Sequence, residues 1–421
     1  MKNFKDSGIE WLGEIPEHWE IVKLKYLGNF QNGISINSEA FGAGYPFVSY
    51  GDVYNNISIP FNVKGLVNST EIDRKVYSVK QGDIFFTRTS ETIDEIGISS
   101  VCLKTIENAV FAGFLIRFRA YKKNLDNNFT KFYFRRNLNQ YFFAKENGLV
   151  TRASLSQELL GKLPVIIPPL KEQEQIANFL DEKCEQIANF IEKKEKLISL
   201  LKEQKQVLIN ETITKGLDKN VNFKDSGIEW FEEIPQHWNI LKLKHIASLR
   251  NQKSNNIDFR IGLENIESKT GKFIPSSEVV FEEDGIGFKK GDILFGKLRP
   301  YLAKVFLTDR DGICVSEFLV LKIKSESNKF IKFLMLSSLF IDIVDSSTYG
   351  TKMPRANWEF IGNLKIPLPP LKEQEQIVNF LDEKCEKIDL LIEKTKKQIK
   401  LIKEYKTTLI NQAVCGRIGK S

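Results

Sequence analysis

Cysteine, histidine and methionine are scarce in this sequence, at five, three and three among 421 residues. Cys102, Cys184, Cys314, Cys385 and Cys415 are odd in number and contain no C-x-x-C pair, which argues against a disulfide framework and a zinc ribbon; they are expected to be reduced and packed. His18, His237 and His245 are too few to build a metal centre without carboxylate help, so no metal site is expected. No stretch approaches the roughly 18 to 20 apolar residues of a membrane span, and MKNFKDSGIEW lacks a signal-peptide core, so the expected location is cytoplasmic. Also missing are a G-x-x-x-x-G-K-[ST] phosphate loop, a Gly-rich cofactor turn with an N/D-P-P-[YFW] partner, a G-x-S-x-G elbow and H-E-x-x-H. No spacing singles out a catalytic residue, and the chain is expected to carry no active site of its own.

What is present is ordinary globular composition, 42% hydrophobic and 27% charged, long enough for two or three domains. The net charge of +7 permits a polyanionic partner. Richness in Lys, Asn, Ile and Phe would arise from an AT-rich genome as well, so charge alone decides little.

The organisation follows from an internal repeat. FKDSGIEWLGEIPEHWEIVKLK from Phe4 returns as FKDSGIEWFEEIPQHWNILKLK from Phe223, a shift of 219 residues. PPLKEQEQIANFLDEKCEQI from Pro168 returns as PPLKEQEQIVNFLDEKCEKI from Pro369, a shift of 201. The shifts differ by 18, so constant segments frame two stretches unlike in length and sequence, roughly 30–162 and 249–363. The expected boundaries are 1–163 and 220–364 for two globular domains, and 164–219 and 365–421 for two helices.

After each Pro-Pro pair the sequence reads as a long helix, with proline at the start and Glu172 or Glu373 in the first turn, where free amides favour negative charge. Apolar residues recur at alternating steps of four and three: Leu180, Cys184, Ile187, Ile191, Ile198, Leu201 and Leu208, matched by Leu381, Cys385, Ile388, Ile392, Ile399, Ile402 and Leu409. This is a heptad seam, interrupted by Lys194 and Lys205 in one copy and by Thr395 and Lys406 in the other. Gly216 and Gly416 are the natural stops. Some 45 residues make a rod of roughly 65 to 70 Å. The simplest way to bury two such seams is an intramolecular antiparallel coiled coil, which brings the chain termini near one another; pairing between molecules is the alternative. The divergent stretches mix strand-like runs (GDIFFTRTS from Gly82, GDILFGKLRPYLAKVFL from Gly291, FAGFLIRFRAY from Phe111) with helix-like ones. The fold class expected is α+β: two small mixed α/β domains joined by two long paired helices in a pseudo-two-fold tandem repeat.

Two W-x-x-E-I-P-x-H-W segments, two divergent domains closing on L-P-P-L or I-P-P-L with K-E-Q-E-Q-I, and two heptad helices, over essentially the whole chain, resemble the specificity (S) subunit of type I restriction-modification systems. The resemblance implies a non-catalytic DNA-reading subunit with two target-recognition domains, each reading half of a bipartite duplex target across an unread gap. It implies two adenine-N6 methyltransferase (M) subunits as partners and, in a restricting complex, motor-nuclease (R) subunits. S-adenosylmethionine and ATP would then sit on the partner subunits, and this chain has no cofactor. If the helices set the gap, four residues inserted into one would add roughly 6 Å, about two base-pair steps. A coiled-coil adaptor without sequence-specific DNA binding, a subunit of a modification-only methyltransferase and an autonomous enzyme remain as alternatives.

Candidate DNA-binding residues come from aligned positions. Aligning Gly82 with Gly291 sets Arg88 opposite Lys297, with Arg299 close behind and Thr87 and Thr89 alongside. Cations at a strand end reach base edges or phosphates, or are merely solvated. The loops GLVTRASL from Gly148 and GTKMPRANW from Gly350 match Arg152 with Arg355, adding Thr151, Thr351 and Lys352; an arginine bridging domain to helix is the alternative. Lys123, Arg135 and Arg136 surround Tyr133 and Phe134, whose helical spacing reads as core. Trp11, Trp19, Trp230 and Trp238 are expected to be structural or to dock the methyltransferase.

Overall fold

A computed structural model describes residues 3–90, 95–136, 141–143, 145, 153–254, 259–275, 285–348 and 353–418. The chain forms two compact units, Met1–Lys193 with Lys397–Ser421, and Lys194–Lys396. No helix among the described residues is long and apolar enough to cross a membrane.

Each unit holds a four-stranded antiparallel sheet of the same order. In the first unit it runs Gly28–Asn32, Leu115–Ala120, Ile84–Thr87, Ser99–Val101; in the second, Ala247–Arg250, Phe318–Ile323, Ile293–Gly296, Val305–Leu307. The turn before the third strand is locked alike in both. Asp83, fully buried, accepts from Lys80 N and from Nε and Nη2 of Arg119 at 2.6 Å, and Asp292 accepts from Lys289 N and from Arg250 Nε at 2.8 Å. Arg119 comes from the strand on one side and Arg250 from a different sheet position, so the buried carboxylate is kept while its partner has moved. Beyond this frame the units diverge. The first adds a three-stranded sheet, Val110–Phe111, Phe41–Val48 and Gly65–Val67, over its own core around Phe85 and Phe111. The second adds a four-stranded sheet, Lys253–Ser254, Gly285–Phe288, Gly312–Cys314 and Arg260–Ile261. Burial pushes the thiols of Cys102 and Cys314 up to about 12, which makes them unreactive packing groups.

The constant segments close each unit by one device used twice. Glu20–Lys23 pairs antiparallel with Pro164–Ile167, and Asn239–Lys242 with Lys365–Leu368, so each domain starts and ends side by side. Trp19 and Trp238 are fully buried, and each donates its indole N–H to the first-turn glutamate of the helix, Trp19 to Glu172 at 3.2 Å and Trp238 to Glu373 at 3.1 Å. His18 and His237 reach the same carboxylates at 2.6 and 2.7 Å. Gln173 and Gln374, fully buried, accept from the backbone N–H of Asp126 and Ser327 and donate to the carbonyls of Pro168 and Pro369. The E-Q pair thus fastens helix to domain, which is why the sequence repeats it unchanged.

The helices span Leu170–Lys215 and Leu371–Val414. Within the first unit, Trp19 lies against both Glu172, at the start of the central helix, and Gly416, just past the end of the C-terminal one; Cys184 lies near enough to Lys406 for the ammonium to act on its thiol. Within the second, a Cβ on Gly216 would sit 3.0 Å from Glu373 Oε1, and Lys205 Nζ lies 2.8 Å from Asp389. In both the segments run antiparallel, and the seam residues are buried or half-buried. Lys205, one of the seam interruptions, is the partner of Asp389: burial raises that carboxyl, but hydrogen bonds from Lys205 and Lys272 outweigh it and hold it below the usual range. Gly216 and Gly416 take φ of +70° and +73° as left-handed helix stops. Arg417 then donates to the carbonyls of Leu12 and Glu14, which brings the two ends of the chain together within the first unit.

Candidate nucleic-acid interface

The third strand of each four-stranded sheet ends in a node with the same backbone bonding. Arg88 N donates to Phe114 O at 2.9 Å and Leu155 N donates to Arg88 O at 2.7 Å; Lys297 N donates to Glu317 O and Ala356 N to Lys297 O, both at 2.9 Å. The alignment of Arg88 with Lys297 is therefore reproduced by main-chain hydrogen bonds. Each node presents three side-chain positions: Arg88, Phe114 and Ser154 in the first domain, and Lys297, Glu317 and Arg355 in the second. Geometrically equivalent positions therefore carry different chemistry.

This register corrects one expected match. Ser154 pairs with Thr89, and Arg355 bridges to Leu298, the position equivalent to Thr89, so the counterpart of Arg355 is Ser154 rather than Arg152. Thr151, Arg152, Thr351 and Lys352 lie outside the described residues. A second correction concerns Thr87. It is fully buried, its hydroxyl donates to Glu95 O at 2.9 Å and accepts from Ile98 N at 2.9 Å, and it holds the following loop rather than facing solvent. Thr89 is exposed at the strand end.

The cations differ in how committed they are. Arg88 is half-exposed and makes no side-chain hydrogen bond among the described residues. Arg355 is clamped by Glu317, Nη2 to Oε1 at 3.0 Å and Nε to Oε2 at 3.2 Å, and the carboxylate raises its pKa. Arg299 is exposed and sits in the left-handed region at φ +52°, ψ 64°, held there by donating its N–H to Pro354 O at 2.8 Å, with Pro300 next disfavouring a right-handed turn. That conformation costs a residue with a Cβ roughly 1–2 kcal/mol. Arg299→Gly is therefore expected to leave the melting temperature unchanged or raised. A drop in melting temperature would show that the left-handed conformation is not strained.

Of the remaining basic cluster, Lys123 is exposed, whereas Arg135 and Arg136 are structural. Arg135 donates to the carbonyls of Val53, Asn56, Ser99 and Tyr54 at 2.5–2.8 Å, Arg136 is buried and donates to Tyr133 Oη, and Tyr133 and Phe134 lie in the core. Trp11 packs on Tyr141 and Phe142, and Trp230 on Phe231 and Phe340. Phe114 and Glu317 escaped sequence reasoning: GFLIRF and SEFLVL align on their shared Phe-Leu, whereas the sheet matches Leu115 with Phe318, one step away.

The family model described as the type I restriction modification DNA specificity domain matches residues 16–208 and 235–401. The MjaVIII specificity subunit of a type I restriction enzyme from Methanocaldococcus jannaschii is 24% identical across 99% of this chain and 96% of its own length. Among solved structures, a chain from work on complex assembly and conformational transition of the type I R-M system superposes with a TM-score of 0.71 at 13% identity, covering 96% of this chain and 99% of that one. The HsdS subunit from Thermoanaerobacter tengcongensis gives 0.57 at 13% identity, covering 96% and 98%. These likenesses show the fold.

Proposed function

Because the chain belongs to the type I restriction-modification family as a specificity (S) subunit, a non-catalytic component, we propose that its two recognition domains each read one half of a bipartite duplex DNA target. The observation that carries this reading is the pair of nodes: one backbone arrangement, two side-chain sets. Arg88 and Thr89 in the first domain, and Lys297, Arg299 and Arg355 in the second, are the described side chains proposed to meet the duplex; Thr151, Arg152, Thr351 and Lys352 belong to the same proposal from sequence. An arginine gripping guanine through two acceptors specifies a base, whereas a lysine on phosphate only positions the protein.

The constant frame recruits the partners. Two copies of the Trp–His–Glu closure offer two equivalent docking places, which supports two methyltransferase subunits per chain, with motor-nuclease subunits joining in a restricting complex. The helices serve as the spacer, their paired seams fixing the unread gap. In an assembly with the methyltransferase, scrambling either half of the target alone is expected to lower affinity by 10³-fold or more at about 150 mM salt, since each mismatched pair costs about 1–3 kcal/mol. Equal affinity for intact and scrambled duplexes would leave only an adaptor.

A further inference from the structure

We propose that Phe114 is a specificity-determining residue of the first recognition domain, reading the C5-methyl group of a thymine beside the group held by Arg88. This rests on the DNA-reading function above and adds what one half of the target contains.

The placement follows from strand geometry. Thr87 pairs with Leu115, and both side chains are fully buried. Side chains alternate faces along a strand, and residues opposite one another in antiparallel strands share a face. Just past this pair the strands end, and Arg88 N donates to Phe114 O there, so the two residues are neighbours at the strand end, Arg88 half-exposed and Phe114 exposed. Phe114 is 64% exposed, the most exposed phenylalanine among the described residues, and its ring makes no aromatic contact there. Its carbonyl is held by Arg88 N, and Ala112 and Leu115 on either side of the turn fill the core. Gly113 lets the loop lie flat: a Cβ there would come within 2.9 Å of Ser35 Oγ and 3.1 Å of Ile34 O.

A guanidinium without a side-chain hydrogen bond and a ring without an aromatic contact, among the described residues, are an unusual pair for water to face, and they match the major-groove edge of DNA. Guanine offers the two acceptors that suit arginine, and thymine offers the groove's one apolar group, its methyl. The equivalent position in the second domain is Glu317, a carboxylate paired with Arg355. A carboxylate gains nothing from a methyl group, so no thymine dependence is expected from this position of the second domain.

The test uses the full chain assembled with its methyltransferase partner and duplexes in which each thymine of the target is replaced singly by deoxyuridine, which lacks only the methyl. One replacement in the first half-site is expected to weaken binding about three- to fivefold, the value of one buried methyl group. Phe114→Ala should bind thymine and deoxyuridine duplexes equally at that position and keep its full discrimination against a scrambled second half-site. A first half-site without thymine, no replacement that weakens binding, or an alanine variant that still distinguishes the two bases would overturn the proposal. Indifference to scrambling of the whole first half-site would instead defeat the DNA-reading function itself, so the two failures are distinct.

Discussion

Trp238→Ala is expected to destabilise the second unit by about 3–5 kcal/mol, the usual cost of emptying a fully buried indole site. Trp238 packs in the core built from Ile234, Leu243, Ile361 and Ile377, and its N–H is one of two donors fastening Glu373 at the helix start. Trp238→Phe, which keeps most of the volume and loses the hydrogen bond, should cost less, about 1–2 kcal/mol beyond any residual void. Because the first unit is closed by the same device, Trp19→Ala should cost a similar amount there. Urea denaturation followed by circular dichroism measures both; a loss below 1 kcal/mol at either position would show that the tryptophan is not what closes the unit.

The second large effect concerns the helices. Four residues added to the central helix near Lys196, with a matching addition in the C-terminal helix so that the seam stays paired, are expected to lengthen the unread gap by about two base pairs and leave both half-sites unchanged. Four residues add roughly 6 Å of rise, and a four-residue insertion is a stutter that a coiled coil absorbs by local unwinding. Mapping the methylated sequence for the variant reads the outcome directly. A gap of unchanged length would separate the helices from any spacing role.

Each element leaves a different kind of signal in the sequence. The long helices were written in the Pro-Pro starts, the heptad steps and the glycines at 216 and 416, and the structure places them as the sequence implied. Lys205 looked like a flaw in the seam and is instead the partner of Asp389, which lies off the heptad positions, so no one-helix reading could pair them. Thr87 misled because its strand is buried on both faces: Ile84 and Phe86 belong to one core and Phe85 to another, so period-two alternation had nothing to reveal. The Arg152 and Arg355 match failed because the framed stretches differ by 18 residues and share too little identity to fix a register, which only the hydrogen bonds of the node supply. Phe114 reads in the sequence as one more apolar residue of a strand; its place beside Arg88 at the strand end comes from a main-chain bond between residues 26 positions apart.

The central claim, two unlike readers carried on duplicated frames in one chain, is tested most directly by co-expressing the chain with its methyltransferase and mapping methylated adenines across a genome. The expected result is one motif made of two different specific halves separated by a gap of fixed length and free sequence. A single contiguous motif, two identical halves, or methylation without a common motif would contradict it.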